Sequence, residues 1–548
     1  MNMNIIKNLH LSVRFLPRVN VSVRMFSESC SLCQRQSQFK NIKKNKSRKK
    51  YRQYTPSTDI NSSESELSAK FQEYVENLIL GSHEEMKTVT EKERLLTSSL
   101  PDSVLELRGL CINNLELDSD YIVTSDEGFH VKLVRAGGVS LPSGGWRSGT
   151  LVTVVLDDPG GLSQDHHESW RRVDGIIVDI SSERIIVSVD NVSSWLLEMF
   201  HGRLGQRSIK LLKRSEEQIY RNSIKQLKHL LQHPVQFDKV PPARFIFKNI
   251  LEVSNKQDAV ADVPEQVLTV FNKTVLRDES KRSALLTCAQ CPPLHIIQGP
   301  PGTGKTTTLA SAVLSSVSNG DTCLVVTPSH AACDAAARAL TQHWPGYTAG
   351  SLVRLGHKLR LTDRSVEQYL PEQIVTSEHL ESLRSQLAWV RRQLVETSSE
   401  SGDMLREERS LVSQVRQEYR ELEERVVKSA RVVVCTLQTA MRWWILRLVE
   451  TGHFSVVYVD EAGFSLDSHL LPVLVRAGRL VLAGDHCQLP PVVLSDQGQE
   501  RGLGVSLMER VSNVCPGVVT LLTTQYRSHQ IISGQFRNNK ILCRYIDC

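Results

Sequence analysis

The sequence contains no run of about 18 apolar residues, so no transmembrane helix is expected. It also lacks a secretory signal, and its twelve cysteines are scattered, which points to reduced thiols inside a cell or organelle. Two CxxC pairs occur, Cys30/Cys33 and Cys288/Cys291, in unlike surroundings; core and tail thiols account for them better than a shared zinc site does. Acidic residues are missing from the first 27 positions, and Glu28 is the one acid among the first 58. Those 58 residues hold thirteen Lys/Arg and so carry +12, whereas the whole chain is +6 and the remainder −6. The basic balance therefore describes a tail and says nothing about what the body binds. The hydrophobic content of 40% and charged content of 23% are those of a globular protein, and 548 residues suggest about three or four domains.

Within the tail, Ile5, Leu9, Val13 and Leu16 fall at helical spacing among Lys7, Arg14, Arg18 and Arg24, and Pro17 ends the pattern. An Arg-bearing, acid-free amphipathic start matches a mitochondrial transit peptide, and Arg24-Met25-Phe26-Ser27 resembles a matrix-processing site. The following run from Lys40 to Arg52 reads as a nuclear signal, a nucleic-acid-contacting arm or a solvated tail. The mitochondrion is the expected location, with nucleus or cytoplasm as the alternative.

Residues 55–68 are rich in Ser, Thr and Asn and read as a linker; residues 71–96 then show helical periodicity and stop at SSLPDS. From about 105 to 212 the texture changes to short Val/Ile/Leu runs between Gly-rich turns, including a hairpin turning at Ser181-Ser182-Glu183. That spacing predicts a small barrel. Such barrels often bind nucleic acid, but this one lacks a dense aromatic-plus-basic face, and a structural module fits equally well. Helical periodicity returns at Ile219, Ile224, Leu227 and Leu231. The expected organisation is a tail (1–58), a linker and stalk (59–103), a small β-barrel (104–213), a second stalk with its linker (214–270), a motor domain (271–535) and a divergent end (536–548).

The motor domain is set by LHIIQGPPGTGKTTTL, residues 294–309. A short apolar strand runs into Gly299-Pro300-Pro301-Gly302-Thr303-Gly304-Lys305-Thr306-Thr307, which fits G-x-x-x-x-G-K-[ST] at every fixed position. The glycines let successive N–H groups turn inward on a polyphosphate, Lys305 supplies a charge for the β/γ-phosphates, and Thr306 supplies a hydroxyl for Mg²⁺. A helix opening there adds its positive end. Downstream, apolar strands alternate with helices at 323–340, 431–440, 455–463 and 479–492, which implies a parallel sheet covered on both faces. Every polar motif follows an apolar run and so lies at the carboxyl ends of the strands, where such sheets bind ligands. Asp460 and Glu461 end one strand, placed to hold Mg²⁺ and to orient and deprotonate an attacking water. Gln488 follows another, within reach of a γ-phosphate. No strand signal exists between 357 and 431. Leu380, Leu383, Leu387, Val390 and Leu394, and then Val412, Val415, Tyr419, Leu422 and Val426, step by threes and fours on either side of a turn at 398–403. They predict a helical hairpin inserted at about 366–428.

The set GPPGTGKT (299–306), TPSHAACD (327–334), VVVCT (432–436), VDEAG (459–463), GDHCQLPP (484–491) and TQYRSH (524–529) resembles superfamily 1 helicases. The similarity is to the group holding the nonsense-mediated-decay helicase, senataxin and the immunoglobulin mu-binding protein type, most of all the last, and runs from about 70 to 535. The resemblance implies a RecA-like motor domain and ATP-dependent 5′→3′ translocation on single-stranded RNA or DNA with duplex unwinding, by a monomer using ATP and Mg²⁺. It implies that Tyr526 stacks on adenine, that Arg527 contacts the γ-phosphate, and that Ser329 and Thr436 meet the nucleic-acid backbone. Two positions depart from the family. Ser280-Lys281 stands where Ser-Gln is usual, and lysine has donors but no acceptor to offer adenine. Phe464 stands where Gln is frequent. The family also carries a second RecA-like domain with an arginine finger after TQYRSH. The chain, ending at Cys548, is therefore expected to be incomplete, to hydrolyse ATP weakly and not to unwind alone. The alternative is a regulatory form that binds nucleotide and nucleic acid without unwinding.

Overall fold

The computed structural model describes residues 61–526, apart from 126–127, 143–144, 157–171, 190–191, 202–206, 215–216, 234, 253–276, 345 and 398–401. The tail with its import and basic-run readings, Cys30/Cys33, the 398–401 part of the hairpin turn, Arg527 and the divergent end lie outside the described residues. Among the described residues, no helix is long and apolar enough to cross a membrane.

The first helix, α1 (Asn61–Ser99), starts inside the Ser-rich stretch read as a linker. Its apolar stripe explains why: Leu67, Phe71, Val75 and Leu78 are all buried, so packing extends the helix upstream of the periodic run. A short helix, α2 (Asp102–Leu107), leads into β1 (Cys111–Ser125), β2 (Gly128–Arg135), β3 (Leu151–Leu156), β4 (Arg172–Ile180), β5 (Arg184–Val189), the helix α3 (Ser194–Phe200) and β6 (Ile209–Lys213). The six strands close into an antiparallel barrel of order β1-β2-β5-β4-β3-β6. Burial alternates along β3 and β5, which turns Val152, Val154, Leu156, Ile185, Val187 and Val189 inward. The hairpin read at 181–183 joins β4 to β5.

The chain returns through α4 (Glu217–Gln232) and α5 (Pro241–Glu252). With α1 these make the stalk, where Phe71 meets Phe237 and Phe247 edge-on. The stalk shares one core with the motor domain. That domain opens with α6 (Glu279–Ala289), β7 (Leu294–Gln298), α7 (Lys305–Ser318), β8 (Cys323–Thr327), α8 (His330–His343) and β9 (Leu352–Arg354). The inserted hairpin follows as α9 (Glu378–Glu396) and α10 (Gly402–Ser429), and then β10 (Val432–Thr436) and β11 (Val456–Val459). The chain continues through α11 (Asp467–Leu474), β12 (Leu480–Gly484), α12 (Asp496–Glu500), α13 (Leu507–Val514) and β13 (Val519–Leu521).

Seven strands form one parallel sheet of order β13-β7-β12-β11-β8-β10-β9. The central strands are buried at every position, as helices on both faces require. The edge strands β9 and β13 are three residues each and were not read from the sequence. The α9–α10 seam near the hairpin tip does more than hold the two helices together: Leu383, Leu387, Val390, Leu394, Leu411 and Val412 join the barrel core.

Candidate active site

The phosphate loop leaves β7 at Gly299, whose N–H donates to Gly484 O at 3.1 Å and so ties the loop to the end of β12. A Cβ on Gly299 would stand 2.5 Å from Thr303 Oγ1. Gly302 and Gly304 take φ of 81° and 84°, a region costly to residues with a side chain. Gly304 opens α7 without any side-chain cap, so no capping side chain takes the first-turn N–H groups next to the loop. Lys305 folds across it, its Nζ donating to Gly299 O at 2.8 Å.

The strand order brings β11 beside β12, and with it Asp460 to the loop. Thr306 Oγ1 donates to Asp460 Oδ2 at 3.3 Å. Asp460 is buried, and burial, with the Glu461 carboxylate beside it, pushes its carboxyl up to about 7; Lys305 and Thr306 oppose that rise. Glu461 takes φ of 55°, a left-handed conformation unusual for its type, and turns the chain sharply at the strand's end. Its N–H donates to Asp460 Oδ1 at 3.0 Å. The next loops touch through glycine: a Cβ on Gly484 would lie 3.0 Å from the Ala462 and Gly463 nitrogens, and one on Gly463 would lie 3.0 Å from Asp485 O. Gln488 stands on this rim with its amide donating to Asp485 Oδ2 at 2.7 Å, while Cys487 N donates to Oδ1 at 3.2 Å. Burial raises the Asp485 carboxyl above its ordinary value.

On the other side of the loop the segment after β13 crosses it. Leu522 N donates to Gln298 O at 2.7 Å, Tyr526 N donates to Gly302 O at 2.9 Å, and the Gln525 amide donates to Pro301 O. The half-exposed Tyr526 ring is held by its hydroxyl, which donates to Asp278 Oδ2 at 2.8 Å. Lys281 lies over that ring. It is buried, its Nζ is 3.9 Å from Asp278 Oδ2, and a Cβ on Gly304 would come within 3.0 Å of it. Burial lowers the Lys281 pKa.

Thus Gly299–Thr306, Asp460, Glu461, Gln488 and Tyr526 converge on one rim of the sheet; Thr307 continues α7 one residue further in. Ser329 and Thr436 stand together at the ends of neighbouring strands, away from the loop, where β8 pairs β10 through Thr327 and Thr436. Ser329 is exposed and caps α8 by accepting from Ala332 N at 3.2 Å. The Thr436 hydroxyl is buried and accepts from Thr439 N at 3.3 Å. Two residues of the site were not singled out from sequence. Asp278 carries a legible signal, since an Asp before a helical run is an N-cap, and its Oδ1 accepts from Ser280 N and Lys281 N. Asp485 carries none beyond its place in GDHCQLPP. The Cys288 thiol is buried and pushed up to about 12, and among the described residues no cluster of three metal-ligating side chains occurs.

A family profile described as an AAA domain matches residues 277–496. The chain is 28% identical over 441 residues to DNA-binding protein SMUBP-2 of Mesocricetus auratus, covering 78% of this chain and 41% of that protein. It is 25% identical over 465 residues to DNA polymerase alpha-associated DNA helicase A of Schizosaccharomyces pombe, covering 82% of this chain and 65% of that one. It is 33% identical over 256 residues to the regulator of nonsense transcripts 1 homolog of Drosophila melanogaster, covering 45% of this chain and 19% of that one. The chain therefore spans less than half the length of the SMUBP-2 relatives.

Proposed function

We propose that this chain, which belongs with the superfamily 1 helicases of the SMUBP-2 and nonsense-transcript-regulator group, carries the ATP-binding motor domain of a nucleic-acid helicase. The observation that carries this is the Thr306–Asp460 contact, which joins the phosphate loop to the acidic strand end at the carboxyl edge of a parallel sheet.

The uncapped N–H groups of α7 would take the phosphate oxygens, and Lys305 would exchange Gly299 O for the β/γ-phosphates. The Thr306 hydroxyl and the Asp460 carboxyl, 3.3 Å apart, form a hard-oxygen donor pair suited to Mg²⁺ once the carboxyl has given up its proton. Thr306 and Asp460 would hold that ion, which supplies neutralisation of phosphate charge. Glu461, turned out by its left-handed backbone, would orient water and take its proton. Gln488, whose amide already donates to a carboxylate oxygen, would exchange Asp485 for the γ-phosphate. Tyr526 would stack on the base, and Arg527 would add charge at the γ-phosphate.

Single-stranded DNA or RNA would run over the strand ends at Ser329 and Thr436, with 5′→3′ movement as the family resemblance implies. A nucleic-acid-stimulated ATPase assay tests the reading, paired with strand displacement. No turnover with any single strand would leave a nucleotide binder; turnover without displacement would leave an ATPase that does not unwind. The acid-free start of the chain supports import into mitochondria, and fusing residues 1–58 to a fluorescent reporter tests that part.

A further inference from the structure

One buried carboxylate of the stalk meets the end of the loop that carries Gln488. Glu85, on the motor-facing side of α1, is 1% exposed. It accepts from Leu494 N at 2.9 Å through each of its oxygens, and from Ser495 N at 2.8 Å through Oε2. Leu494 and Ser495 end the irregular loop that carries Gln488 and lead into α12. That helix does not need Glu85 for its cap, because Ser495 Oγ already accepts from Gly498 N at 3.1 Å. Glu85 instead takes the two N–H groups upstream of the helix, and it comes from a segment more than 400 residues away in sequence.

The neighbourhood is built for contact. A Cβ on Gly81 would land 2.0 Å from Leu503 Cδ1, so α1 and the chain after α12 approach as closely as glycine allows. One turn earlier, Asn77 Oδ1 accepts from Arg501 Nη1 at 3.1 Å.

The loop 485–493 is thereby fixed at both ends. At one end Gly484 O holds the phosphate loop through Gly299 N; at the other, Glu85 holds Leu494 and Ser495. Between them lie Pro490, Pro491 and the strongly exposed Leu489 and Val492, with no regular secondary structure. A shift at Gln488 therefore takes place between two fixed anchors, with Pro490 and Pro491 restricting the backbone on the way to the second. The stalk anchor leads through α2 directly into β1 of the barrel.

We propose that Glu85 is a positioning residue that makes the stalk, and the barrel it carries, responsive to the state of the Gln488 loop. This rests on the reading of Gly299–Thr306 as a triphosphate site. When a γ-phosphate takes the Gln488 amide, Asp485 loses that partner and the loop resettles. The three hydrogen bonds to Glu85 pass the movement to α1. Reciprocity follows: whatever the barrel binds biases the same loop.

Hydrogen–deuterium exchange on the whole chain tests this, with Mg²⁺ plus ADP against Mg²⁺ plus a non-hydrolysable ATP analogue. In the wild type, exchange should differ between the two nucleotides at least threefold both in 485–495 and in 77–90. In Glu85→Gln, which keeps the shape but sets an NH₂ donor among N–H donors, the loop should still respond and the stalk should not. Analogue affinity and melting temperature measured alongside separate this from loss of fold. A stalk response that survives in Glu85→Gln overturns the proposal. So does a wild-type stalk that ignores the nucleotide while the loop responds, a result that needs no variant to fold. If neither nucleotide binds, the triphosphate reading fails and the coupling falls with it.

Discussion

The Lys281 ammonium stands 3.8 Å above the centre of the Tyr526 ring, the height at which a base stacked on that ring would lie. A nucleotide base taking that place would displace the ammonium from the ring face towards the edge of the base. An ammonium offers three donors and no acceptor. Guanine presents two acceptors on its N7/O6 edge, whereas adenine presents one acceptor beside an amino donor, the pattern that an amide matches. Lys281→Gln should therefore raise the preference for ATP over GTP, by up to about tenfold for one hydrogen bond gained. Competition of the two triphosphates against a fluorescent nucleotide measures it. An unchanged ratio would restrict Lys281 to holding Tyr526 in place.

Lys305 and Glu461 should separate binding from turnover. Lys305 crosses the loop's mouth, so if its charge meets the β/γ-phosphates as proposed, Lys305→Ala should lower nucleotide affinity at least a hundredfold. Glu461 stands beyond Asp460 and touches neither the loop glycines nor Thr306 in any hydrogen bond of the described residues. Glu461→Gln should bind ATP within about threefold of wild type while single-turnover hydrolysis drops by 10² or more. Normal turnover in that variant would assign the base elsewhere.

The sequence shows the phosphate loop, the Asp460-Glu461 strand end and the Gln488 turn because their chemistry demands fixed neighbours in the chain, and the parallel sheet because its buried strands are continuous apolar runs. The barrel follows from strand spacing, and the hairpin from its two stepped seams. Other features leave no local mark. β9 and β13 are too short for any periodicity, and pair only because β10 and β7 are already in place. Leu67 continues the stripe of α1 into a stretch whose composition says linker. Glu85 and Asp467 have partners some 400 residues away, Leu494 and Tyr74, so each reads as an ordinary acid until the stalk docks. Lys281 is visible as a departure from the family, but its place over Tyr526 is not.

The hairpin should depend on one buried ion pair. Arg391 of α9 and Glu408 of α10 meet through Nη2 and Oε1 at 2.9 Å and through Nε and Oε1 at 3.0 Å, with Glu408 fully buried. Arg391→Ala leaves that carboxylate without its cation, a loss of about 3–5 kcal/mol. Because the same seam completes the barrel core, the barrel and hairpin should loosen together. Limited proteolysis near residue 400 should speed up by at least tenfold. Arg391→Met with Glu408→Leu, which removes both charges and fills the space, should restore resistance. Failure of that double variant would mean the charges themselves fix the seam.

Asp467 gives the stalk–motor contact a pH dependence of known sign. Its Oδ2 accepts from Tyr74 OH of α1 at 2.5 Å and from Arg510 Nε of α13 at 3.2 Å. Burial nevertheless pushes its carboxyl up to about 6, against the partial offset from Arg510 and Tyr74. The folded chain thus keeps a proton that the unfolded chain releases near pH 4. Between about pH 4 and 6 the folded state binds more protons, so this group's contribution to stability falls as pH rises, by at most about 1.4 kcal/mol per pH unit, and levels off above 6. Asp467→Asn keeps an oxygen for Tyr74 and Arg510 and cannot ionise, so it lacks that fall. Thermal unfolding of both proteins across pH 4 to 8 should show the wild type losing ground to the variant up to about pH 6 and then holding a constant gap. A gap independent of pH would mean that Arg510 and Tyr74 hold the carboxylate ionised at its ordinary value, with the stalk joined to the motor by a permanent charge.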